Sequence, residues 1–479
     1  MSENFITVVG LEIHLQLNTK TKMFSPENYF FGGLPNTQIH PVSLALPGTL
    51  PLINKEVIKS AIKIGLSLNC DINKYNLFAR KNYFYSDLPK GYQITQFNEP
   101  ICSNGEVIIN KNKKIQLTRI HVEEDTGKSI HDQDPFNSLI DLNRAGVPLL
   151  EIVTEPDIRN EEEACSFLYE IRKIVRYLEI SNGNMEEGSL RCDANISICR
   201  KNDTKFGTKV EIKNMNSINN VKQAILYEKE RQIELIKKNK TIKQETRLYD
   251  AINNKTISMR SKEESNDYRY FHEPDLLPVI IKEEEILNIK NNLPPLPDEL
   301  KSLFMNKHKL NEYDTNILTE DKTLALYYLE VVKENKNYKT AANFIIGKIK
   351  SYLNENGITI KTFKLNPEKI SKLIDLISSG KINYSTASNI VFPIMIQNIT
   401  KDPKKIVLEE NLTQESDDTK IELYIEKAIK KYPEKVKEYQ NGKKGLIGLF
   451  MGEIMKLSKG KTDPKKTNIL LNKKLNESK

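Results

Sequence analysis

The chain has 479 residues, of which 38% are hydrophobic and 28% are charged. A chain of this length is too long for a single ordinary hydrophobic core and favours about three domains. Its composition is typical of a globular protein with enough apolar residues to form its cores. No run of 18 or more apolar residues occurs, and the short polar start lacks the lead-in of a targeting peptide. Neither a membrane span nor a signal or transit peptide is therefore expected.

The five cysteines are scattered, at positions 70, 102, 165, 192 and 199, and none forms a CxxC pair. An odd number without close spacing predicts neither a disulfide framework nor a thiolate zinc site. A reducing cytoplasm is the expected location.

A β-strand is predicted at residues 7–17, where polar and apolar side chains alternate. Leu11 and Leu15 would face a core, while Glu12 and His14 share the opposite face. Glutamate and histidine are both good ligands for a divalent cation when deprotonated. The pattern predicts either a metal site or an ordinary solvated strand face.

A second strand, at 117–127, is predicted to end in three successive acids, Glu123, Glu124 and Asp125. Adjacent carboxylates repel one another unless a cation or a basic side chain neutralises them. The alternative is a solvated strand end that needs no partner.

The tripeptide Gly127-Lys128-Ser129 resembles the end of a phosphate-binding P-loop. That motif requires a glycine five residues earlier, where this chain has Val122. The sequence therefore excludes a P-loop here and predicts that any nucleotide is bound through Mg²⁺ held by carboxylates.

Glu151 lies among apolar residues in a strand predicted at 149–154, after a turn marked by Gly146 and Pro148. A carboxylate in such surroundings is costly unless it is paired or bound to a metal. It is therefore a further candidate ligand.

Two later strands, predicted within 185–198 and 208–216, also alternate. Their polar faces carry Arg191, Asp193 and Asn195 on the first and Lys209, Glu211 and Lys213 on the second. These faces could pair their charges across an exposed sheet. They could also line a cleft that binds ATP and an acyl acceptor, in which basic side chains would contact phosphates and carboxylates would bind a metal ion.

Three prolines within residues 294–297 predict a stiff linker at 291–297, because no helix interior accommodates them. After it the pattern becomes helical, as at 323–334 and 367–378. A polar acidic stretch at 409–419 predicts a second boundary.

The end of the chain is strongly basic. The formal net charge of the whole chain is +8, yet residues 430–479 hold 14 lysines and five acidic residues, a net charge of +9. A segment of this kind favours an anionic partner, with nucleic acid first. The alternative is that lysine is simply abundant in a Lys- and Asn-rich sequence.

Nine stretches in order along the chain resemble one family, the B subunits of the aspartyl/glutamyl-tRNA amidotransferases. They are 9–14, 80–94, 121–128, 141–146, 151–157, 185–195, 206–216, 244–247 and 267–275. Residues 443–456 and 459–461 are similar to that family's small helical tail domain. The resemblance is specific because many long motifs occur in the same order.

The resemblance implies an α+β fold in three domains. A catalytic domain with a glutamine-synthetase-like antiparallel sheet would occupy residues 1–292, a helical domain 293–405, and a basic helical tail 406–479. The tail would contact tRNA through Lys443, Lys444, Lys456, Lys459 and Lys461.

The resemblance also implies an ATP-dependent carbon–nitrogen ligase that uses glutamine as the amide donor. ATP would phosphorylate the side-chain carboxylate of Glu-tRNA(Gln) or Asp-tRNA(Asn), and ammonia would then displace phosphate. The chain has no GxSxG elbow and no amidase or glutaminase signature, so ammonia would come from a partner amidase (glutaminase) chain. A small third chain would complete a heterotrimer in the bacterial cytoplasm, or in an organellar matrix or stroma if the gene is organelle-encoded.

By resemblance and local pattern, ATP and Mg²⁺ are the expected cofactors, and catalysis and Mg²⁺ binding are assigned to Glu12, His14, Glu124 and Glu151. The nucleotide cleft would be lined by Arg191, Asp193, Lys209, Glu211 and Lys213. The passage for ammonia would be lined by Lys81, Lys90 and Glu124.

Many members of this family hold zinc with four cysteines near the N-terminus. The matching positions here are Ser25, Glu27, His40 and Ser43. Three of the four have no metal-ligating nitrogen or sulfur, so no structural zinc is predicted.

Two rival functions fit the sequence less well. A standalone ligase acting on a small acid would not need the basic tail. A non-catalytic tRNA-binding or chaperone protein would not cluster carboxylates, which RNA repels.

Overall fold

The computed structural model describes residues 4–110, 113–131, 133–261, 267–414, 418–458 and 460–477. The chain divides into two compact units, Met1–Leu296 and Pro297–Lys479. This division falls inside the predicted proline-rich linker. Within the described residues, no helix is long and apolar enough to cross a membrane.

The described part of the first unit contains many strands and a few helices. The strands are β1 (Phe5–Gln16), β2 (Asp71–Ile72), β3 (Tyr75–Asn76), β4 (Ala79–Asn82), β5 (Tyr92–Thr95), β6 (Cys102–Ser103), β7 (Glu106–Ile109), β8 (Lys113–Glu124), β9 (Lys128–Ile130), β10 (Leu139–Asp141), β11 (Pro148–Thr154), β12 (Leu190–Arg200), β13 (Val210–Lys213), β14 (Glu245–Asp250), β15 (Lys255–Ser261), β16 (Phe271–His272) and β17 (Val279–Ile280). The helices are α1 (Lys55–Ser67), α2 (Glu161–Tyr177), α3 (Ile218–Lys237) and α4 (Glu283–Asn291).

One large sheet organises this unit, in the order β15-β14-β13-β12-β1-β11-β8-β6-β2, and β7 pairs with β8 beside it. Its neighbouring strands are antiparallel except β13 and β14, which run parallel. A parallel pair needs a crossover connection, and α3 supplies it between these two strands. The α+β class is therefore confirmed, and the predicted antiparallel sheet is found as a mixed sheet with one parallel pair.

The alternation of β1 decides which face of this sheet is buried. Leu11 and Leu15 are at most 1% exposed and belong to one core. Helices α2 and α3 contribute Phe167 and Ala224 to the same core. Both helices pack on this face of the sheet, and polar side chains of the opposite face line a cavity.

Local signals fix the ends of those two helices. The side chain of Asn160 accepts a hydrogen bond from the Glu163 amide, and Ser217 accepts one from the Asn220 amide. Each cap satisfies an amide that the first helical turn leaves unpaired. The sheet is therefore supported by two helices with well-defined starts.

A small three-stranded sheet, β16-β4-β5, stands against the end of β8. The Ile94 amide donates to the Glu124 carboxylate at 2.9 Å, and the Gln93 side chain donates to the Glu124 carbonyl at 2.7 Å. The Val122 amide donates to the side-chain oxygen of Gln96 at 3.0 Å. These bonds fix the small sheet beside the open face of the large one.

The described part of the second unit is mainly helical. Its helices are α5 (Pro297–Ser302), α6 (Glu312–Leu318), α7 (Lys322–Val332), α8 (Tyr338–Phe344), α9 (Lys350–Glu355), α10 (Pro367–Ser378), α11 (Tyr384–Thr386), α12 (Phe392–Gln397), α13 (Pro403–Glu409), α14 (Asp418–Lys431), α15 (Pro433–Gln440), α16 (Ile447–Leu457) and α17 (Pro464–Glu477). The helices predicted at 323–334 and 367–378 are confirmed as α7 and α10.

Helices α14 to α17 enclose a core of their own. Its fully buried members include Ile421, Ile425, Phe450, Ile454 and Leu471. The predicted boundary at 405/406 falls inside α13, where Ile406 and Val407 are buried and the helix packs against α10. α13 therefore packs with α10, and the separate core of α14 to α17 begins at Ile421.

Candidate functional site

Histidine and glutamate side chains from three neighbouring strands converge on the open face of the large sheet. His14 on β1 lies opposite Glu151 on β11, which in turn lies opposite His121 on β8. Nε2 of His14 is 3.3 Å from Glu151 and 3.5 Å from Glu123, and Nε2 of His121 is 3.4 Å from Glu151. Ligand atoms of His14, Glu123 and Glu151, one from each residue, all lie within 4.8 Å of one another. This is a donor set that can hold a divalent cation.

The histidines and glutamates of this cluster shift one another's pKa values. Burial lowers the pKa of His14, but the hydrogen bond to Glu151 and the charge of Glu123 outweigh burial and raise it. Burial likewise lowers the pKa of His121, yet Glu151 and Glu123 raise it to about 9. Burial would raise the pKa of Glu151, but the two histidines hold it well below its usual range. The carboxylates of the cluster are therefore stabilised by nearby positive charge, which a bound metal ion would supply in place of protons on the histidines.

Glu124, predicted as a metal ligand, is not part of this cluster. Successive side chains of a strand point to opposite faces, so Glu123 faces His14 and Glu124 turns away. Glu124 is buried, forms an ion pair with Lys90 and accepts a hydrogen bond from the Ile94 amide. Glu123 takes the place that the sequence analysis assigned to Glu124. The shared face of His121 and Glu123 on β8 is the sequence signal that identifies it.

A second polar group continues along the same face. Glu12 lies opposite Asp193 in the β1–β12 pair and accepts a hydrogen bond from Asn195 at 2.8 Å. Lys213 forms ion pairs with Asp193 and, at 3.0 Å, with Glu211. Burial lowers the pKa of Lys213, but these two carboxylates outweigh it and raise the pKa. The ammonium of Lys213 therefore stays charged and holds the two strands together.

Both groups line one cavity of about 520 Å³ between the large and the small sheet. Its lining includes Glu12, His14, Lys81, Thr95, Gln96, Phe97, Arg119, His121, Glu123, Glu151, Asp193, Asn195, Lys209, Glu211, Lys213, Thr246, Tyr268 and Tyr270. The structure thus brings together most of the residues assigned to the metal and the nucleotide. Sequence reasoning missed Glu123, His121 and the aromatic residues of the small sheet.

Arg191 lies in a neighbouring cavity of about 740 Å³, which shares Asp193 with the first. Its guanidinium donates to the Asp125 carboxylate at 2.8 Å. Arg144 approaches the same carboxylate at 3.4 Å. Burial would raise the pKa of Asp125, but the two arginines outweigh it and lower the pKa. The third acid of the triplet is therefore neutralised by arginines.

Of the three residues predicted for an ammonia passage, Lys90 and Glu124 form the buried pair described above. Lys81 lies in the main cavity instead, with its ammonium 4.8 Å from the ring centroid of Tyr268. Burial lowers the pKa of Lys81, but the charges of Glu123 and nearby groups outweigh it and raise the pKa. Lys81 is therefore a cation that faces the acidic floor.

Comparison with known proteins identifies the family of this chain. A family model described as the GatB/GatE catalytic domain matches residues 7–287, and one described as the GatB domain matches residues 326–475. Among the B subunits of aspartyl/glutamyl-tRNA(Asn/Gln) amidotransferases, that of Thermodesulfovibrio yellowstonii is 48% identical over 473 residues, covering 98% of this chain and 99% of that protein. The chain belongs to the family of amidotransferase B subunits.

Other members of this family show the same extent of similarity. The protein of Pelagibacter ubique is 47% identical, with 98% of this chain and 96% of that protein covered. The protein of Clostridium tetani is 44% identical, with 99% of both covered. The match spans both units, so the motif-based resemblance is confirmed along essentially the whole chain.

Three of the four positions matched above to zinc cysteines, Ser25, Glu27 and Ser43, form a polar network with Lys22. The hydroxyls of Ser25 and Ser43 are 3.2 Å apart, and Ser43 donates to Glu27. Lys22 is completely buried, with its ammonium 3.2 Å from Glu27 and 2.8 Å from the Gln38 carbonyl. An ammonium at this place repels a second cation, and serine hydroxyls are poor zinc ligands. These residues do not fit a zinc ion.

In the tail, Lys443, Lys444 and Lys456 are exposed. Lys443 pairs with Glu438 at 3.1 Å, and Lys444 lies over the Tyr439 ring at 4.2 Å. Lys461 is half-buried, and Lys459 lies outside the described residues. A Cβ added to the glycines at 445, 448 or 452 would have no neighbouring atom within 4 Å among the described residues. These glycines therefore do not mediate close helix packing there.

Proposed function

We propose that this chain is the ATP-dependent activating subunit of a tRNA-dependent amidotransferase. The observation that supports this most is the group of His14, Glu123 and Glu151 at the floor of a cavity whose walls carry lysines. The relatives are named for Asp-tRNA(Asn) and Glu-tRNA(Gln), which gives the substrate class. The proposed product is Asn-tRNA(Asn) or Gln-tRNA(Gln).

The donor set fits a divalent cation. Two carboxylates and an imidazole can replace water around such an ion, and carboxylate oxygens are the ligands that Mg²⁺ prefers. When bound, Mg²⁺ would neutralise phosphate oxygens of ATP. His14, Glu123 and Glu151 would hold it, and His121 would orient Glu151 from the other side, at 3.4 Å.

The first step is phosphoryl transfer. An oxygen of the substrate's side-chain carboxylate attacks the γ-phosphorus of ATP, and the bond from that phosphorus to the bridging oxygen breaks to release ADP. Positioning and charge neutralisation account for most of the barrier reduction in such reactions. Lys81 and Lys209 line the cavity, and they would place positive charge near the transferred group. Arg191 lines the neighbouring cavity and is paired with Asp125.

The second step is amidation. The lone pair of ammonia attacks the acyl carbon, the bond between that carbon and the phosphate oxygen breaks with its electrons leaving on phosphate, and the nitrogen loses a proton. Phosphate is needed because oxide is a very poor leaving group from a carboxylate. Ammonia would be made by the partner amidase and pass the Lys90–Glu124 pair and Lys81, with the small third chain completing the complex.

The tail would bind the tRNA backbone, and the first unit would receive only the acceptor end and its amino acid. This division follows from charge, because the lysine excess lies in 430–479 and the carboxylates lie on the sheet of the first unit. A glutamine-synthetase-like architecture and a bacterial cytoplasmic location belong to the same proposal.

The proposal is tested by ADP formation in the purified amidotransferase complex. We expect ADP formation to require Glu-tRNA(Gln) or Asp-tRNA(Asn), with uncharged tRNA and free glutamate unable to replace them. Equal rates with free glutamate would support the small-acid ligase instead. No ADP formation with any acceptor would support a non-catalytic tRNA-binding protein.

A further inference from the structure

Two aromatic rings lie stacked at the cavity. The centroids of Phe97 and Tyr270 are 4.0 Å apart, and their planes differ by 4°. Both residues line the cavity of about 520 Å³, and Phe97 is 50% exposed. A large apolar ring exposed beside a strongly charged cleft is the kind of surface that a ligand covers.

The small sheet positions this ring pair. Phe97 follows β5 and Tyr270 precedes β16, and both strands pair with β4, which carries Lys81. Tyr268 packs edge-on against Tyr270 at 6.0 Å, and the Lys81 ammonium lies over the Tyr268 ring. One wall of the cavity therefore presents flat rings and a cation, and the facing wall presents carboxylates.

Gln96 adds an unsatisfied donor to the same wall. Its side-chain oxygen accepts hydrogen bonds from the amides of Ile101 and Val122 at 3.1 and 3.0 Å, which fixes the orientation of the amide. Its buried amide nitrogen has no acceptor among the described residues. Leaving such a donor unpaired is costly, and it belongs to a residue that lines the cavity beside Phe97.

We propose that the Phe97–Tyr270 pair is a stacking wall for an adenine ring. The inference rests on the proposed function, whose two adenosine-containing ligands are ATP and the 3′ end of tRNA. A base stacks on the exposed ring of Phe97, because every base offers a flat π face to an aromatic side chain. The attached phosphates then face Lys81 and the cation site on the floor. The rings would contact the base, and Lys81 and a cation held by the acidic floor would contact the phosphates.

The test uses Phe97→Ala in the intact amidotransferase complex, with ADP and Mg²⁺ as the probe. We expect about tenfold weaker binding of ADP by equilibrium measurement, which is about 1.4 kcal/mol and within the range for one stacked base. Phe97→Tyr restores the binding because it restores the ring. Phe136→Ala is the matched control, since Phe136 is 92% exposed between β9 and β10 and does not line the cavity.

The apparent KM for Glu-tRNA(Gln) separates the two sources of adenine. If the ring pair binds the base of ATP, Phe97→Ala raises the Kd for ADP and leaves the KM for Glu-tRNA(Gln) unchanged. If it binds the terminal adenosine of tRNA, Phe97→Ala raises that KM and leaves the Kd for ADP unchanged. Both constants of Phe97→Ala staying within twofold of wild type, in an active complex, would overturn the inference. A wild-type complex without tRNA-dependent ADP formation would contradict the proposed function instead, and ADP binding would still report on Phe97.

Discussion

His14 on β1 and Glu151 on β11 lie directly opposite each other, with Nε2 of the histidine 3.3 Å from Oε2 of the glutamate. The register continues to β8, where His121 lies opposite Glu151 and Glu123 is two residues farther along. Three strands that are far apart in the chain thus deliver their polar side chains to one point. A one-residue shift in either pairing would turn those side chains to the opposite face.

Neighbouring glutamates on β8 should have different roles. We expect Glu123→Gln to lower tRNA-dependent ADP formation at least about 100-fold, because it removes a charge at the phosphoryl-transfer site. Glu124→Gln should leave divalent-cation binding intact, since Glu124 pairs with Lys90. Mn²⁺ binding and ADP formation are measured for both variants. Loss of Mn²⁺ binding in Glu124→Gln, with Mn²⁺ binding retained in Glu123→Gln, would contradict the assignment.

The buried pair of Lys22 and Glu27 should stabilise the first unit. Removing one partner of a buried ion pair typically costs about 3 kcal/mol or more, because the other charge is left unpaired. Lys22→Met should therefore lower the free energy of unfolding by about that amount, measured by denaturant titration. The double variant Lys22→Met/Glu27→Leu should lose less than the sum of the two single variants. Additive losses would show that the pair is not coupled.

The same pair should make stability depend on acid pH. Burial would raise the pKa of Glu27, but hydrogen bonds from Ser25 and Ser43 and the charge of Lys22 outweigh it and lower the pKa below the ordinary 4.5. Its contribution is thus fully present above pH 4.5 and is lost as the pH falls through the lower, folded-state value. The difference in unfolding free energy between wild type and Glu27→Gln should shrink as the pH falls below 4.5. A constant difference across that range would count against this account.

The chain should need no zinc for its fold. Ser25 and Ser43 offer only hydroxyls, and Glu27 is already paired with the buried ammonium of Lys22. Metal analysis of the purified protein should therefore find no stoichiometric zinc. A strong chelator should leave the Tm unchanged. A chelator-induced fall in Tm, reversed by zinc, would show that these positions bind metal after all.

The tail lysines should contribute affinity for tRNA and its salt dependence. Replacing Lys443, Lys444 and Lys456 with alanine should raise the apparent KM for tRNA about tenfold and flatten its dependence on salt. ATP binding should stay nearly unchanged. A matched control replaces Lys55, Lys59 and Lys63 on α1. If the control weakens tRNA binding as much as the tail variant, the effect reflects net charge alone.

The alternation of polar and apolar residues along the strands made part of the candidate site predictable from the sequence. The period of two on β1 placed Glu12 and His14 on one polar face, and the apolar neighbours of Glu151 marked it as a carboxylate with a partner. Three adjacent acids on β8 left the choice among them to the register, which sequence periodicity alone does not define. Reading His121 and Glu123 as one face would have selected Glu123.

Other features depend on contacts between distant parts of the chain. Phe97 and Tyr270 meet because two short strands pair with β4, and neither strand is long enough to show a period. Lys22 and Glu27 lie in an irregular segment, where no pattern indicates burial. The parallel pair of β13 and β14 likewise depends on the path of α3. Such features require the tertiary structure.

The central claim is that an oxygen of the substrate's carboxylate attacks the phosphorus of ATP. It is tested most directly with Glu-tRNA(Gln) whose side-chain carboxylate is labelled with ¹⁸O. Attack by that carboxylate, followed by cleavage of the carbon–oxygen bond, predicts one ¹⁸O in each phosphate released during amidation by the complex. The amount of labelled phosphate should fall together with activity in Glu123→Gln. Unlabelled phosphate, released while Gln-tRNA(Gln) forms at the normal rate, would contradict the account.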